Sequence, residues 1–129
     1  MQEDAQTFLS KAQENLQAAQ SLFDHKLYNA SANRAYYAAF QAAVAALLAE
    51  SLITPERLGH DIVQARFVGD LINRRKKYPA SLRSSLADMR VVREDADYSV
   101  KLISEKKSKE QLRLSKEFVE QITKRIQAC

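Results

Sequence analysis

One cysteine and two histidines are a thin supply of the side chains from which metal centres and thiol chemistry are built. The cysteine, Cys129, has no partner for an internal disulfide and reads as a free thiol suited to a reducing cytoplasm. His25 and His60 do not pair with each other or with Cys129 at metal-ligand spacing. There is no glycine-rich phosphate loop and no serine or cysteine in a nucleophile signature. Metal hydrolases, P-loop enzymes and the familiar nucleophilic hydrolases are therefore excluded, and no metal or cofactor is expected. Glycine and proline occur only twice each and tryptophan not at all. The one long apolar run, from Ala35 to Leu48, is interrupted by Gln41 and bracketed by Arg34 and Glu50. It falls short of the roughly 20 residues a bilayer needs, so it predicts a buried helix and not a membrane span. The opening MQEDAQTF carries acidic residues where a signal peptide would carry basic ones, which points to a cytoplasmic protein.

What is present favours helices. Ala, Leu, Gln, Lys, Glu and Arg dominate, and no stretch alternates β-branched with polar residues as a half-buried strand would. A length of 129 residues suits one domain with one core. The expected architecture is all-α, an up-and-down antiparallel bundle of about five helices. Its organising element is 29–49, with Tyr36, Phe40, Val44, Leu47 and Leu48 on one broad face and small residues around the rest, so that several neighbours can approach closely.

In chain order, residues 3–24 form an amphipathic first helix with Ala5, Phe8, Ala12, Leu16, Ala19, Leu22 and Phe23 inward. Glu3 and Asp4 suit the positive end of its dipole. A break at 24–26 makes it an antiparallel partner of the second helix. Thr54 before Pro55 reads as an N-cap and first helical residue, starting a third helix that runs to Ile72 and buries Ile62, Ala65, Phe67, Val68, Leu71 and Ile72. Pro79 starts the fourth, with a stripe of Leu82, Leu86, Met89, Val92 and Ala96. Ser108 with Gln111 resembles a capping box that opens the fifth helix, which runs to Gln127.

The net charge of +4 and pI near 9.3 tilt the chain towards polyanions. The cations gather late, at 74–77, Arg83, Arg90, Arg93 and 106–107, and would form a basic face if those segments met. Arg83, Arg90, Arg93 and Asp97 fall near one line of the fourth helix. Arg93 also borders the apolar stripe, which places its guanidinium at a boundary and not in open water. An Arg93–Asp97 pair closing a helix end, with Tyr98 half-buried, is one reading of this segment. In the other, Arg93 and Arg90 bind phosphate and Tyr98 contacts a base or ribose. Arg34 lies one turn before Tyr37 and can point into the same cleft. Glu94, Asp95 and Asp97 are interleaved with arginines, which suits ion pairs better than a cation site. Nothing beside His60 in sequence marks it as more than a surface histidine.

Asn33-Arg34-Ala35-Tyr36-Tyr37-Ala38-Ala39-Phe40, then Gly59-His60, then Arg93 to Tyr98 and a final amphipathic helix resemble, in order and spacing, the HEPN family. The likeness is to the small stand-alone prokaryotic branch with R-A-Y-Y-A-x-F and R-x-x-A-D-Y segments. The resemblance implies a helical bundle, often a homodimer, frequently encoded beside a minimal nucleotidyltransferase in toxin–antitoxin or defence pairs. It also implies a site built on Arg93, with a polar residue next and a histidine a few positions on. Here Glu94 takes the polar place, but Tyr98 stands where the histidine would be.

Without that imidazole the usual activation of a ribose 2′-hydroxyl is missing, because tyrosine, with a pKa of about 10, is a poor base. The leading expectation is a HEPN-like protein that binds nucleotide, RNA or a nucleotidyltransferase partner through Arg34, Tyr37, Arg90, Arg93, Asp97 and Tyr98 without standard catalysis. An alternative is a metal-independent ribonuclease toxin that uses Arg93 with His60 or Tyr98. A third is a purely structural interaction module.

Overall fold

The structure, a computed structural model, describes residues 2–128; the Cys129 thiol lies outside the described residues. These residues form an all-α bundle of five helices. They are α1 (Gln2–Asp24), α2 (Tyr28–Ala49), α3 (His60–Arg66), which runs on as a π-helix (Phe67–Arg74), then α4 (Ser85–Tyr98) after a 3-10 turn (Ala80–Leu82), and α5 (Glu105–Gln127).

The alanine-rich α2 is the hub, touching α1, α4, α5 and the α3 segment. Val44, Leu47 and Leu48 have no exposed surface, and each stabilises the fold by about 1.5–3 kcal/mol through burial. Around them the small side chains of α2 let neighbouring backbones come within hydrogen-bond reach of serines. Ser31 Oγ donates to the Ala19 carbonyl at 2.8 Å and Ser115 Oγ to the Ala35 carbonyl at 2.7 Å. Gln41, the polar break in the apolar run, accepts from Asn15 Nδ2 at 2.7 Å. In the pairs Ala19–Ser31 and Asn15–Gln41, partners further along α2 meet earlier parts of α1, which is antiparallel packing. No described helix is long and apolar enough to cross a membrane.

Several expected boundaries and faces move. Pro55 does not start a helix: the Arg57 N–H donates to the Thr54 carbonyl at 3.0 Å, making a turn with proline at its second position, and α3 begins at His60. That start turns the helix so that His60, Val63, Phe67 and Leu71 face α2, while Ile62 is 44% exposed and Ala65 is also exposed. In α1 the inward row is Ala5, Leu9, Ala12 and Ala19, with Phe8, Leu16, Leu22 and Phe23 only partly covered. α5 begins earlier than Ser108: Ser104 is the N-cap and accepts from the Lys107 N–H at 3.1 Å. Ser108 and Gln111 are buried instead, and Ser108 Oγ donates to the Tyr28 carbonyl at 3.2 Å. In α4 the inward row is Leu86, Met89 and Arg93, while Val92 and Ala96 lie half-buried beside it. An arginine therefore fills a core-facing position.

The scarcity of glycine shows at the helix ends. Lys26 and Ser51 take left-handed backbone, φ 62° and 58°. Each sits in a Schellman closure, made by Leu27 N–H to the Leu22 carbonyl and Leu52 N–H to the Leu47 carbonyl, both at 2.9 Å.

Candidate functional site

The inward row of α4 delivers Arg93 against the first turns of α2, where Asn33, Arg34, Tyr36 and Tyr37 stand, and the start of α3 brings His60 and Asp61 to the same place. Arg93 is 8% exposed. Its guanidinium carbon lies 5.5, 5.7 and 5.9 Å from the ring centroids of Tyr36, Tyr37 and Tyr98, within the range where ring quadrupoles attract a cation. It also pairs with Asp97 at 3.4 Å. Its buried Nε has no hydrogen-bond partner among the described residues. A buried, charged donor without an acceptor is costly, and an oxygen-rich ligand would satisfy it.

Around this centre the polar groups form a chain. Asn33 Nδ2 donates to both Asp97 oxygens at 2.9 and 3.1 Å. Arg34 Nε donates to Asn33 Oδ1 at 2.8 Å, Arg34 Nη1 reaches Asn15 Oδ1 at 3.2 Å, and the guanidinium lies 5.0 Å over the Tyr37 ring. Among the described residues, Arg34 thus meets amide oxygens and a ring face. Arg90 pairs with Asp61 through Nη1 at 2.6 Å, and its buried Nε lies 3.5 Å from Glu94 Oε1, an ion pair without hydrogen-bond geometry. The Asp61 carboxyl is held below the usual carboxylate range by that Arg90 bond.

His60 stacks at 5.6 Å on Tyr36, lies 4.6 Å from Phe40, and shares a 2.5 Å hydrogen bond between Nδ1 and the Tyr36 hydroxyl. Its pKa is lowered, first by burial and then by the positive charges of Arg90 and Arg93, so the ring is neutral near pH 7. Burial pushes the Tyr36 phenol up to about 12, which keeps its proton on. With Tyr36 2% exposed and Nδ1 facing its hydroxyl, the tautomer that satisfies this proton among the described residues is the one whose Nδ1 accepts it. Neutral His60 then carries its own proton on Nε2 and presents a donor there.

All six expected binding residues, Arg34, Tyr37, Arg90, Arg93, Asp97 and Tyr98, lie along this one α2–α4 face, and His60 joins them from α3. Tyr98 is not half-buried: it is 80% exposed, with Arg93 against its ring. Arg83 leaves the group. It precedes α4 and donates to Asn73 Oδ1 at 2.9 Å. The acidic residues are divided, Glu94 to Arg90 and Asp97 to Arg93 and Asn33. The first turns of the second helix, Asn33 to Tyr37, are expected from sequence to wall the cleft opposite the fourth helix; Asp61 and the packing of Phe40 on His60 are not legible there, because their partners Arg90 and His60 are distant in the chain.

A family model described as the HEPN domain matches residues 5–126, nearly the whole chain. A Methanocaldococcus jannaschii protein named "Putative toxin MJ0605" is 42% identical over 59 residues, 46% of this chain and 44% of that protein. The match thus spans less than half the length of that relative.

Proposed function

The chain belongs to the HEPN domain family, and from that premise we propose that it is a toxin-like HEPN protein that binds RNA or a nucleotide at the Arg93 cluster. The observation that carries this reading is a nine-tenths-buried arginine with an unpartnered Nε, walled by three tyrosine rings. Arginine supplies a planar fork for phosphate, and the exposed Tyr98 supplies a face on which a base can stack. The partial likeness to a protein named as a toxin agrees with it.

The ribonuclease reading gains one observation, that His60 is packed into the same cluster as Arg93. A general base, however, needs a free lone pair, and donation from Tyr36 to Nδ1 leaves His60 with a proton on Nε2. That state suits a hydrogen bond to a phosphate oxygen and opposes proton abstraction from a 2′-hydroxyl.

A homodimer, which the family resemblance implies, is part of this proposal, and the exposed apolar side chains Ile62, Val91 and Tyr98, at 44%, 60% and 80% exposure, would suit contact with a second copy of the chain. A minimal nucleotidyltransferase is the expected partner protein, and a pull-down from the native cell is its test.

The functional test is titration of a labelled single-stranded RNA in EDTA with the wild type, Arg93→Ala, Arg93→Lys and His60→Ala. Arg93→Ala is expected to weaken binding at least tenfold and Arg93→Lys to recover little, since an ammonium cannot reproduce the fork. Unchanged binding by Arg93→Ala overturns the reading in favour of a structural module. Metal-free cleavage lost in both alanine variants replaces it with the ribonuclease.

A further inference from the structure

The cations of the second half of the chain do not make one basic face. Arg90 and Arg93 are compensated by Asp61, Glu94 and Asp97. At the opposite end of α4 the balance is different. Two hollows, of about 640 and 470 Å³, adjoin across Tyr78 and Pro79 where the π-helix ends and the 3-10 turn begins. The larger is lined by Lys77, Lys124 and Arg125, and the smaller by Lys76 and Arg83. Among the described residues, no acidic side chain lines either hollow. A third hollow, between α1 and α5, shares Lys124 but carries Glu117 and Glu120.

Neighbouring cations have acids to hold them: Arg74 pairs with Asp70, while Arg75 and Lys77 share Glu50. Lys76, Arg83 and Lys124 are exposed and form no ion pair with a described acid. The backbone also presents Lys76 in a set way. The Arg75 N–H makes the last π-type bond, to the Asp70 carbonyl at 2.9 Å, and the Lys77 N–H reaches back six residues to the Leu71 carbonyl at 2.8 Å, with Lys76 in left-handed backbone at φ 52°. The helical closure thus fixes where that residue leaves the bundle, beside Arg83. Concave ground with several uncompensated cations suits a flexible chain of phosphates, whose counterions are released on binding.

We infer that these paired hollows around Tyr78 and Pro79 are a second anchoring site for the phosphate backbone of an RNA strand. The inference rests on the reading that the Arg93 cluster engages RNA, and gives that strand a further point of attachment. At 1.5 Å per residue, the start of α4 at Ser85 lies roughly 12 Å from Arg93 along the helix, and Arg83 precedes it. A dinucleotide therefore reaches only one of the two sites, whereas a 20-nucleotide strand can reach both.

The experiment compares fluorescently labelled single-stranded RNA of two and twenty nucleotides, titrated over a series of salt concentrations. Lys76→Gln/Arg83→Gln/Lys124→Gln is expected to bind the dinucleotide like the wild type but to bind the 20-mer at least tenfold more weakly. Its salt slope should be reduced by roughly 2, about 0.7 for each phosphate no longer neutralised. Arg93→Ala is expected to weaken both ligands. A triple variant that binds the 20-mer with wild-type affinity and slope overturns the second site and leaves the Arg93 reading standing. Unchanged dinucleotide binding by Arg93→Ala, with the 20-mer weakened by the triple variant, overturns the Arg93 reading alone. Acetylation of the wild-type protein gives a check free of folding effects. Bound 20-mer should protect Lys76 and Lys124, and equal labelling with and without RNA refutes the site.

Discussion

Replacing Tyr36 by phenylalanine removes one oxygen from the tightest contact of the site and leaves the ring in place. The hydroxyl shares a 2.5 Å hydrogen bond with His60 Nδ1, and the tyrosine is 2% exposed, so no water takes its place freely. A hydrogen bond of this kind contributes about 1 kcal/mol net, and the partial exposure of the imidazole limits the penalty for the orphaned nitrogen. For a chain of this length about 1 kcal/mol corresponds to a fall in Tm of roughly 4 °C, read by circular dichroism at pH 8. The pH dependence carries a sign of its own. His60 is depressed from 6.5 in the fold, so in acid the unfolded chain takes up a proton that the folded chain resists. Stability is therefore full above about pH 6.5 and falls as the pH is lowered through that value towards the folded pKa. His60→Gln should lack this component. Long-range proton–nitrogen correlation spectra of the wild type at pH 8 should place the imidazole proton on Nε2. A proton found on Nδ1, or a Tyr36→Phe variant that melts with the wild type at pH 8, refutes the donor assignment and returns His60 to candidacy as a base.

Two further predictions test the frame. Lys26→Gly and Ser51→Gly relieve left-handed backbone at helix ends that already have Schellman closures, so each should raise stability by about 0.5–1 kcal/mol in urea titrations; destabilisation would mean the side chains matter more than the backbone. Ser104→Ala should lower stability by about 1 kcal/mol through loss of the α5 cap, and an unaffected Ser104→Ala variant would place the start of α5 elsewhere.

The helical class was legible because it rests on additive signals: good helix formers in every segment, few breakers, and an apolar run that needs cover on several sides. The helix starts were less legible because several polar residues suit each one. Thr54-Pro55 serves a turn as well as it would serve a cap, and the choice between Ser104 and Ser108 depends on the Tyr28 carbonyl, to which Ser108 donates. The site was half legible. Arg93 could be placed at the edge of a stripe from its spacing to Met89. His60 could not be placed, since an inward histidine is recognisable only once Tyr36 and Phe40 are known to face it.

His60 and Arg93 share one property that periodicity alone undervalues. Each occupies an inward position of its helix, His60 in phase with Val63 and Phe67, and Arg93 in phase with Leu86 and Met89. A leucine at either position would bury more apolar surface without a desolvation penalty, so packing does not account for the choice. Tyr36 and Tyr37 make the polar groups tolerable by offering ring faces to Arg93 and a hydroxyl to His60. The first turns of α2 are thus polar-compatible where the later turns, from Ala42 to Leu48, are wholly apolar. The same helix holds the core at one end and positions the site at the other. A substitution at Tyr36 should consequently register in both stability and ligand binding, whereas one at Val44 should register in stability alone.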